Sequence, residues 1–178
     1  MRLFIAAILP VEIQEYLSGY INSLSKELDG VKWERPEKLH ITLKFLGSVD
    51  GSLVQPIASI IDRISQKYST FDLNLTEFGT YPALRNPRVL YAGTSHNDML
   101  SEFQEQLDSA LSEIGFEPEA RKFIPHVTIG RVKNRIRIKT APELEKKSFT
   151  VSQIGLIKSE LKPEGSVYTA VEIFELEK

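Results

Sequence analysis

No cysteine occurs among the 178 residues, which excludes a disulfide framework, a thiolate metal site and a cysteine nucleophile together. A reducing, cytoplasmic setting is expected. No apolar run approaches the roughly 18 residues of a membrane span. Leu3 to Leu9, the strongest run, is too short for a signal-peptide core and precedes a charged amphipathic segment, so it reads as a buried strand. Neither sign of charge dominates: 22 basic residues stand against 24 acidic ones, for a net charge of −2, which argues against a surface coated for bulk nucleic-acid binding. The phosphate loop G-x-x-x-x-G-K-[ST], the dinucleotide fingerprint G-x-G-x-x-G and the nucleophile elbow G-x-S-x-G are all missing. Histidine is scarce, with three residues.

Two of those three sit in the same setting. His40 and Thr42 lie in LHITLKFLG, and His126 and Thr128 in PHVTIGR, each pair separated by one apolar residue. With nine threonines in the chain, the probability that two of three histidines carry Thr at +2 by accident is about 0.008, low enough to set chance aside. Both segments read as strands, so each His and Thr share one face about 6.6 Å apart, while Ile41, Leu43 and Phe45, or Val127 and Ile129, share the other. A phosphate spans that gap. His96, in the loop SHND, has no such context and reads as a surface residue.

The 42% hydrophobic and 26% charged content is that of a soluble globular protein. Apolar spacing predicts helices over 11–29, about 52–68 and about 97–115, with Pro10 at the first start, Asn97 as a cap, and Gly30 and Gly115 as stops. Strand-like runs cover 2–9, 31–35, 39–46, 71–80, 88–94, 119–124, 126–132, 148–158 and 166–176. The order repeats. His40 and His126 lie 86 positions apart, as do Arg2-Leu3-Phe4-Ile5-Ala6 and Arg88-Val89-Leu90-Tyr91-Ala92, and Gly30 and Gly115 lie 85 apart. Two copies of one unit about a pseudo-twofold axis would place both His-x-Thr pairs in one cleft. The expected fold is α+β and bilobal, with two pseudo-symmetric antiparallel-sheet lobes, outer helices and a central cleft, forming one domain over residues 1–178.

Two imidazoles suit phosphodiester cleavage, because one can take the proton of an attacking water or hydroxyl while the other protonates the departing oxygen. Threonine hydroxyls can hold the non-bridging oxygens. A catalytic zinc site asks for three protein ligands, and the motifs supply two histidines and no carboxylate, so neither a metal nor a cofactor is expected. Seven basic and no acidic residues fall between Arg121 and Lys139, a run able to receive phosphates. Arg131, Lys133, Arg135, Arg137 and Lys139 all have the parity of Val127, so an uninterrupted strand aims them away from the cleft; a bulge or turn at Gly130 or Asn134 would reverse that. Phe45, Tyr91, Phe123 and Tyr168 could stack on a nucleobase, although each reads more readily as core.

The ordered set RLFIAAILP, Trp33 with PEKLHITLKFLG, NPRVLYAG, RKFIPHVTIGR and LIKSELKPEGSVY resembles the two-histidine (2H) phosphoesterases, specifically the RNA 2',3'-cyclic phosphodiesterases also called 2'-5' RNA ligases. The likeness spans nearly the whole chain. It implies metal-independent hydrolysis of an RNA 2',3'-cyclic end to a 2'-phosphate, and the reverse-type joining of a 5'-hydroxyl through a 2'-5' bond without a nucleotide cofactor. By this resemblance His40 would be the proton donor, His126 the acceptor, Thr42 and Thr128 phosphate ligands, and Arg131 a helper from the H-x-T-x-x-R extension. The implied partner is RNA with a cyclic phosphate terminus, or a cyclic nucleotide, handled by a monomer away from membranes. Rival readings are a non-catalytic module that binds RNA ends, and a relative acting on small cyclic nucleotides, ADP-ribose cyclic phosphate or 2'-5' oligoadenylates.

Overall fold

The computed structural model describes residues 1–178. Its elements run β1 Arg2–Ile8, α1 Val11–Ser25, β2 Val31–Trp33, β3 His40–Ser48, α2 Val54–Ser65, β4 Phe71–Tyr81, β5 Val89–Thr94, α3 Asp98–Ser112, β6 His126–Val132, β7 Ser148–Val151, β8 Gln153–Lys162 and β9 Gly165–Glu175. The helices follow the apolar spacing but end within a few residues of the expected bounds. α1 buries Ile13, Leu17, Ile21 and Leu24. Asn97 caps α3 by accepting from the Leu100 amide at 3.0 Å. After α1 and α3 the chain turns at Gly30 and Gly115 with φ of 77° and 101°, a conformation that costs a residue with a Cβ. No helix is long and apolar enough to cross a membrane.

All nine strands form one sheet, in the order β7-β4-β5-β6-β3-β1-β8-β9, with β2 pairing β6 off that path. Every pairing between named strands is antiparallel. The middle of the path is β6 beside β3, and each side continues into a lobe of like build. The lobes are stitched by β2, which belongs to the first half of the sequence but pairs Val31, Lys32 and Trp33 with Val132, Arg131 and Gly130 in the second. Gly130 makes that possible, because a Cβ there would lie 2.9 Å from the Trp33 ring.

One continuous core joins the lobes. It takes Leu3, Ile5 and Ala7 from β1, Ile41 and Leu43 from β3, Val127 and Ile129 from β6, and the apolar faces of all three helices. The opposite face of the sheet carries a small separate cluster, Phe4, Ala6 and Ile157, with Ile8 and Tyr168 against it. Helices cover the first face, so polar side chains gather on the second.

Two expected strands differ. Residues 119–124 form none: the Glu119 amide at the start of the run donates to the Asp108 carboxylate at 2.9 Å, and just before it the Glu117 carbonyl accepts from Lys44 at 2.5 Å, so side chains hold the entry to the run away from a ladder. The run 148–158 divides at Ser152 into β7, paired with β4, and β8, paired with β1. Because one residue separates strands so far apart in the sheet order, the sheet curls until those regions meet.

Candidate active site

β3 and β6 touch through one registered pair, Ile41 opposite Val127, both fully buried. Alternation turns His40, Thr42, His126 and Thr128 to the other face, where all four are partly buried. Carrying the antiparallel register one residue each way sets His40 across from Thr128 and Thr42 across from His126. In a regular ladder, diagonal positions such as those of the two histidines lie about 7–8 Å apart. A single paired position leaves the strands free to splay on either side, which opens the cleft.

Each imidazole is anchored alike. His40 Nδ1 donates to the Lys38 carbonyl at 2.7 Å and His126 Nδ1 donates to the Ile124 carbonyl at 2.8 Å. This fixes the neutral tautomer and frees Nε2 in both rings. In His40, Nε2 accepts from the Thr42 hydroxyl at 2.9 Å, whereas His126 Nε2 has no partner within the protein. Phe4 lies 4.9 Å and Tyr168 5.7 Å from the His40 ring, and Tyr91 lies 5.2 Å from that of His126. Burial lowers the pKa of His40; its bond to the Lys38 carbonyl and the charge of Glu34 oppose this, and the charges of His126 and Lys38 add to it. The two imidazoles are therefore electrostatically coupled. A proton donor must first be protonated, so the unliganded site works against the donor role expected of His40.

Matching bulges follow the two motifs. Ala6 opposes Thr42 and Ile5 opposes Lys44, skipping Leu43; Tyr91 opposes Thr128 and Leu90 opposes Gly130, skipping Ile129. The extra residue inverts the parity of the residues after it, in β3 as far as a second skip at Leu46. Phe45 is therefore not on the core face with Ile41: it is 61% exposed, and its ring lies 6.1 Å from Phe4 on the histidine side. Arg131 is its counterpart in the second lobe and shares the cleft parity. The rest of the basic stripe does not, because β6 ends at Val132 and Lys133 to Lys139 leave the sheet. The same registers equate Ile5 with Leu90, an offset of 85 for β1 and β5, one less than the sequence alignment suggests.

Lys44 turns inward after its bulge and is 4% exposed, its ammonium 2.5 Å from the Asp108 carboxylate. On the cleft rim Glu34 lies 3.3 Å from Lys38 Nζ and 4.0 Å from Arg131 Nε, bridging one lobe to the other. Lys38 Nζ sits 4.7 Å over the ring of Tyr168. Burial raises the pKa of the Tyr168 phenol; Glu34 adds to this, while Arg131 and Arg2 oppose it. Sequence reasoning missed Phe4, Glu34 and Lys38, whose surroundings depend on strands far apart in the chain; Glu34 and Lys38 do sit within the conspicuous stretch leading to His40. Of the aromatic residues singled out, Tyr91 and Tyr168 flank the histidines, and Phe123 packs against the core. His96 is exposed and bonds Asp98 at 2.6 Å, with no contact to either His-x-Thr pair. Nowhere do three or more His, Cys, Asp or Glu side chains gather so as to hold a metal ion.

Residues 8–91 and 94–168 match the family described as LigT like phosphoesterase. The chain belongs to that family. An RNA 2',3'-cyclic phosphodiesterase of Methanothermobacter thermautotrophicus is 34% identical over 183 residues, covering 99% of both chains. That of Thermotoga maritima is also 34% identical, covering 94% of this chain and 91% of its own. Among solved structures, TT0787 of Thermus thermophilus matches with a TM-score of 0.86 at 28% identity, and E. coli LigT in complex with 3'-AMP with 0.83 at 27%, each covering 99% of this chain and 98% of the other. The α+β architecture expected from the sequence is that of the LigT-like phosphoesterases.

Proposed function

We infer that residues 1–178 act as one bilobal phosphoesterase domain, a duplicated unit, that hydrolyses the 2',3'-cyclic phosphate at an RNA end to a 2'-phosphomonoester without a metal ion. The observation carrying this reading is the placement of two His-x-Thr pairs on one face, across the Ile41 and Val127 contact. Relatives named RNA 2',3'-cyclic phosphodiesterase support the substrate, as do complexes of E. coli LigT with 3'-AMP and with phosphate.

In this reading His126 Nε2, free of protein partners, takes a proton from water as the water oxygen bonds to phosphorus. The bond from phosphorus to O3' breaks, and His40 Nε2 gives its proton to that oxygen. Thr42, Thr128 and Arg131 hold the non-bridging oxygens, where negative charge accumulates. The anionic substrate resolves the tension at His40: its charge beside the imidazole favours the protonated form, and it offers the Thr42 hydroxyl an acceptor in place of Nε2. Phe45 and Tyr168 supply the stacking wall for the terminal base. A 5'-hydroxyl in place of water would give a 2'-5' bond by the same proton transfers, with ring strain in the cyclic ester supplying the driving force. The enzyme works as a cytoplasmic monomer.

The test is an RNA ending in a 2',3'-cyclic phosphate, incubated with the protein in EDTA. A 2'-phosphate product is expected. A 3'-phosphate product would reverse the donor and acceptor assignments, and tight binding without conversion would leave a module that only holds RNA ends.

A further inference from the structure

β6 leaves the cleft at Arg131 and continues into a segment that is tied down rather than loose. The Val132 amide donates to the Arg88 carbonyl at 2.9 Å, Lys133 to the Gly30 carbonyl at 2.8 Å, and Ile138 to the Leu84 carbonyl at 2.9 Å. These bonds fasten the start of residues 133–138 to the turn between α1 and β2 and their end to the loop between β4 and β5. Where the two segments meet, Arg85, Arg135 and Arg137 line an open hollow of about 350 Å³, with Ile136 between them packed against the core.

No carboxylate lines that hollow, and none of the three guanidinium groups makes an ion pair. Three like charges held together on anchored backbone repel one another unless an anion sits among them. The contrast with the other lobe is informative. A hollow of about 250 Å³ beside Tyr168 is lined by Lys32, Arg35 and Lys38 together with Glu34, Glu37 and Glu164, so its charges are matched internally. In a chain of net charge −2, an uncompensated cationic hollow is a local feature, set where β6 exits the site. Guanidinium forks match phosphate oxygens in pairs.

Resting on the reading of the cleft given above, we propose that Arg85, Arg135 and Arg137 bind backbone phosphates of the RNA a few nucleotides 5' of the cyclic end. Arg135 is seven residues beyond Thr128, at most about 25 Å of extended chain, a distance that a short single strand spans. The substrate is thereby an oligonucleotide end in preference to a cyclic mononucleotide. The hollow adds binding, and the histidines do the chemistry.

The experiment compares an RNA oligonucleotide ending in a 2',3'-cyclic phosphate with 2',3'-cyclic AMP, using the wild-type protein and the triple variant Arg85→Gln, Arg135→Gln, Arg137→Gln. For the variant, the oligonucleotide KM rises about tenfold or more, and its log–log salt slope falls by about 0.7 for each phosphate no longer neutralised. Turnover of cyclic AMP stays unchanged, which also reports that the variant folds. Equal kinetics on the oligonucleotide, or equal losses on both substrates, would overturn the proposal. If the wild type converts neither substrate, the reading of the cleft fails separately, and the hollow is judged by fluorescence anisotropy of a labelled RNA with a plain 3'-hydroxyl. Weaker binding by the variant supports the site; unchanged binding, or displacement of the RNA by poly-aspartate as readily as by unlabelled RNA, removes it.

Discussion

The ring of His40 is held by a carbonyl, a hydroxyl and two aromatic neighbours, whereas His126, with the matching carbonyl bond, leaves its Nε2 without a protein partner. Both motifs use the same backbone plan, down to the skipped residue after each. What differs is the set of side chains around that plan. At equivalent places past the bulge one lobe presents Phe45 and the other Arg131; one step earlier stand the buried Lys44 and the flat Gly130. The backbone plan is shared, and it is the surroundings that make two chemically identical groups unlike.

The largest effect that would break this comparison is at the rings themselves. His40→Ala and His126→Ala should each lower turnover of a cyclic-phosphate RNA in EDTA by about a thousandfold; full activity in either would remove that ring from the mechanism. Next comes Asp108→Ala, which removes the nearer carboxylate from the buried Lys44 ammonium and leaves it the Glu117 carbonyl and Glu119, 3.8 Å away. A stability loss of about 3 kcal/mol in urea titration is expected, with no equivalent site in the second lobe because Gly130 stands there. Thr42→Val and Thr128→Val should then separate: Thr42 bonds His40 Nε2 and, in the proposed mechanism, also holds phosphate, so its loss should cost about tenfold in kcat/KM and that of Thr128 less.

A subtler measurement is the pH profile. A donor must be protonated, so kcat/KM should fall as pH rises through the free-enzyme pKa of His40, which burial sets below the ordinary histidine value. An anionic phosphate beside the ring should raise that pKa, so the alkaline limb of kcat should lie at higher pH than that of kcat/KM. Coincident limbs would reject the donor role. The smallest change expected is from Gly79→Ala, because an added methyl would overlap the Tyr91 ring beside His126. Displacing that ring should cost less than about tenfold in turnover.

Alternation makes the faces of His40, Thr42, His126 and Thr128 readable from sequence, since strand parity is a local property. The bulges are not readable. Leu43 and Ile129 are ordinary apolar residues, and each becomes an extra residue only because a partner strand pairs around it. Parity alone for that reason puts Phe45 on the wrong face and leaves the orientation of Arg131 open. Helix positions follow from spacing, with ends shifted where capping and glycine turns decide. Residues 119–124 have strand-like composition, but the Glu119 amide is taken by Asp108 and the Glu117 carbonyl just before it by Lys44, contacts that no local window contains. Nor can the partner of β2 be read locally, as it lies about a hundred residues along the chain.

That exchanged strand has a mechanical meaning. Val31–Trp33 is covalently part of one half and hydrogen-bonded into the other, so widening the gap between the imidazoles would require peeling a strand from a sheet. The expected consequence is a jaw whose width is set largely when the chain folds, one that would grip by being the right size.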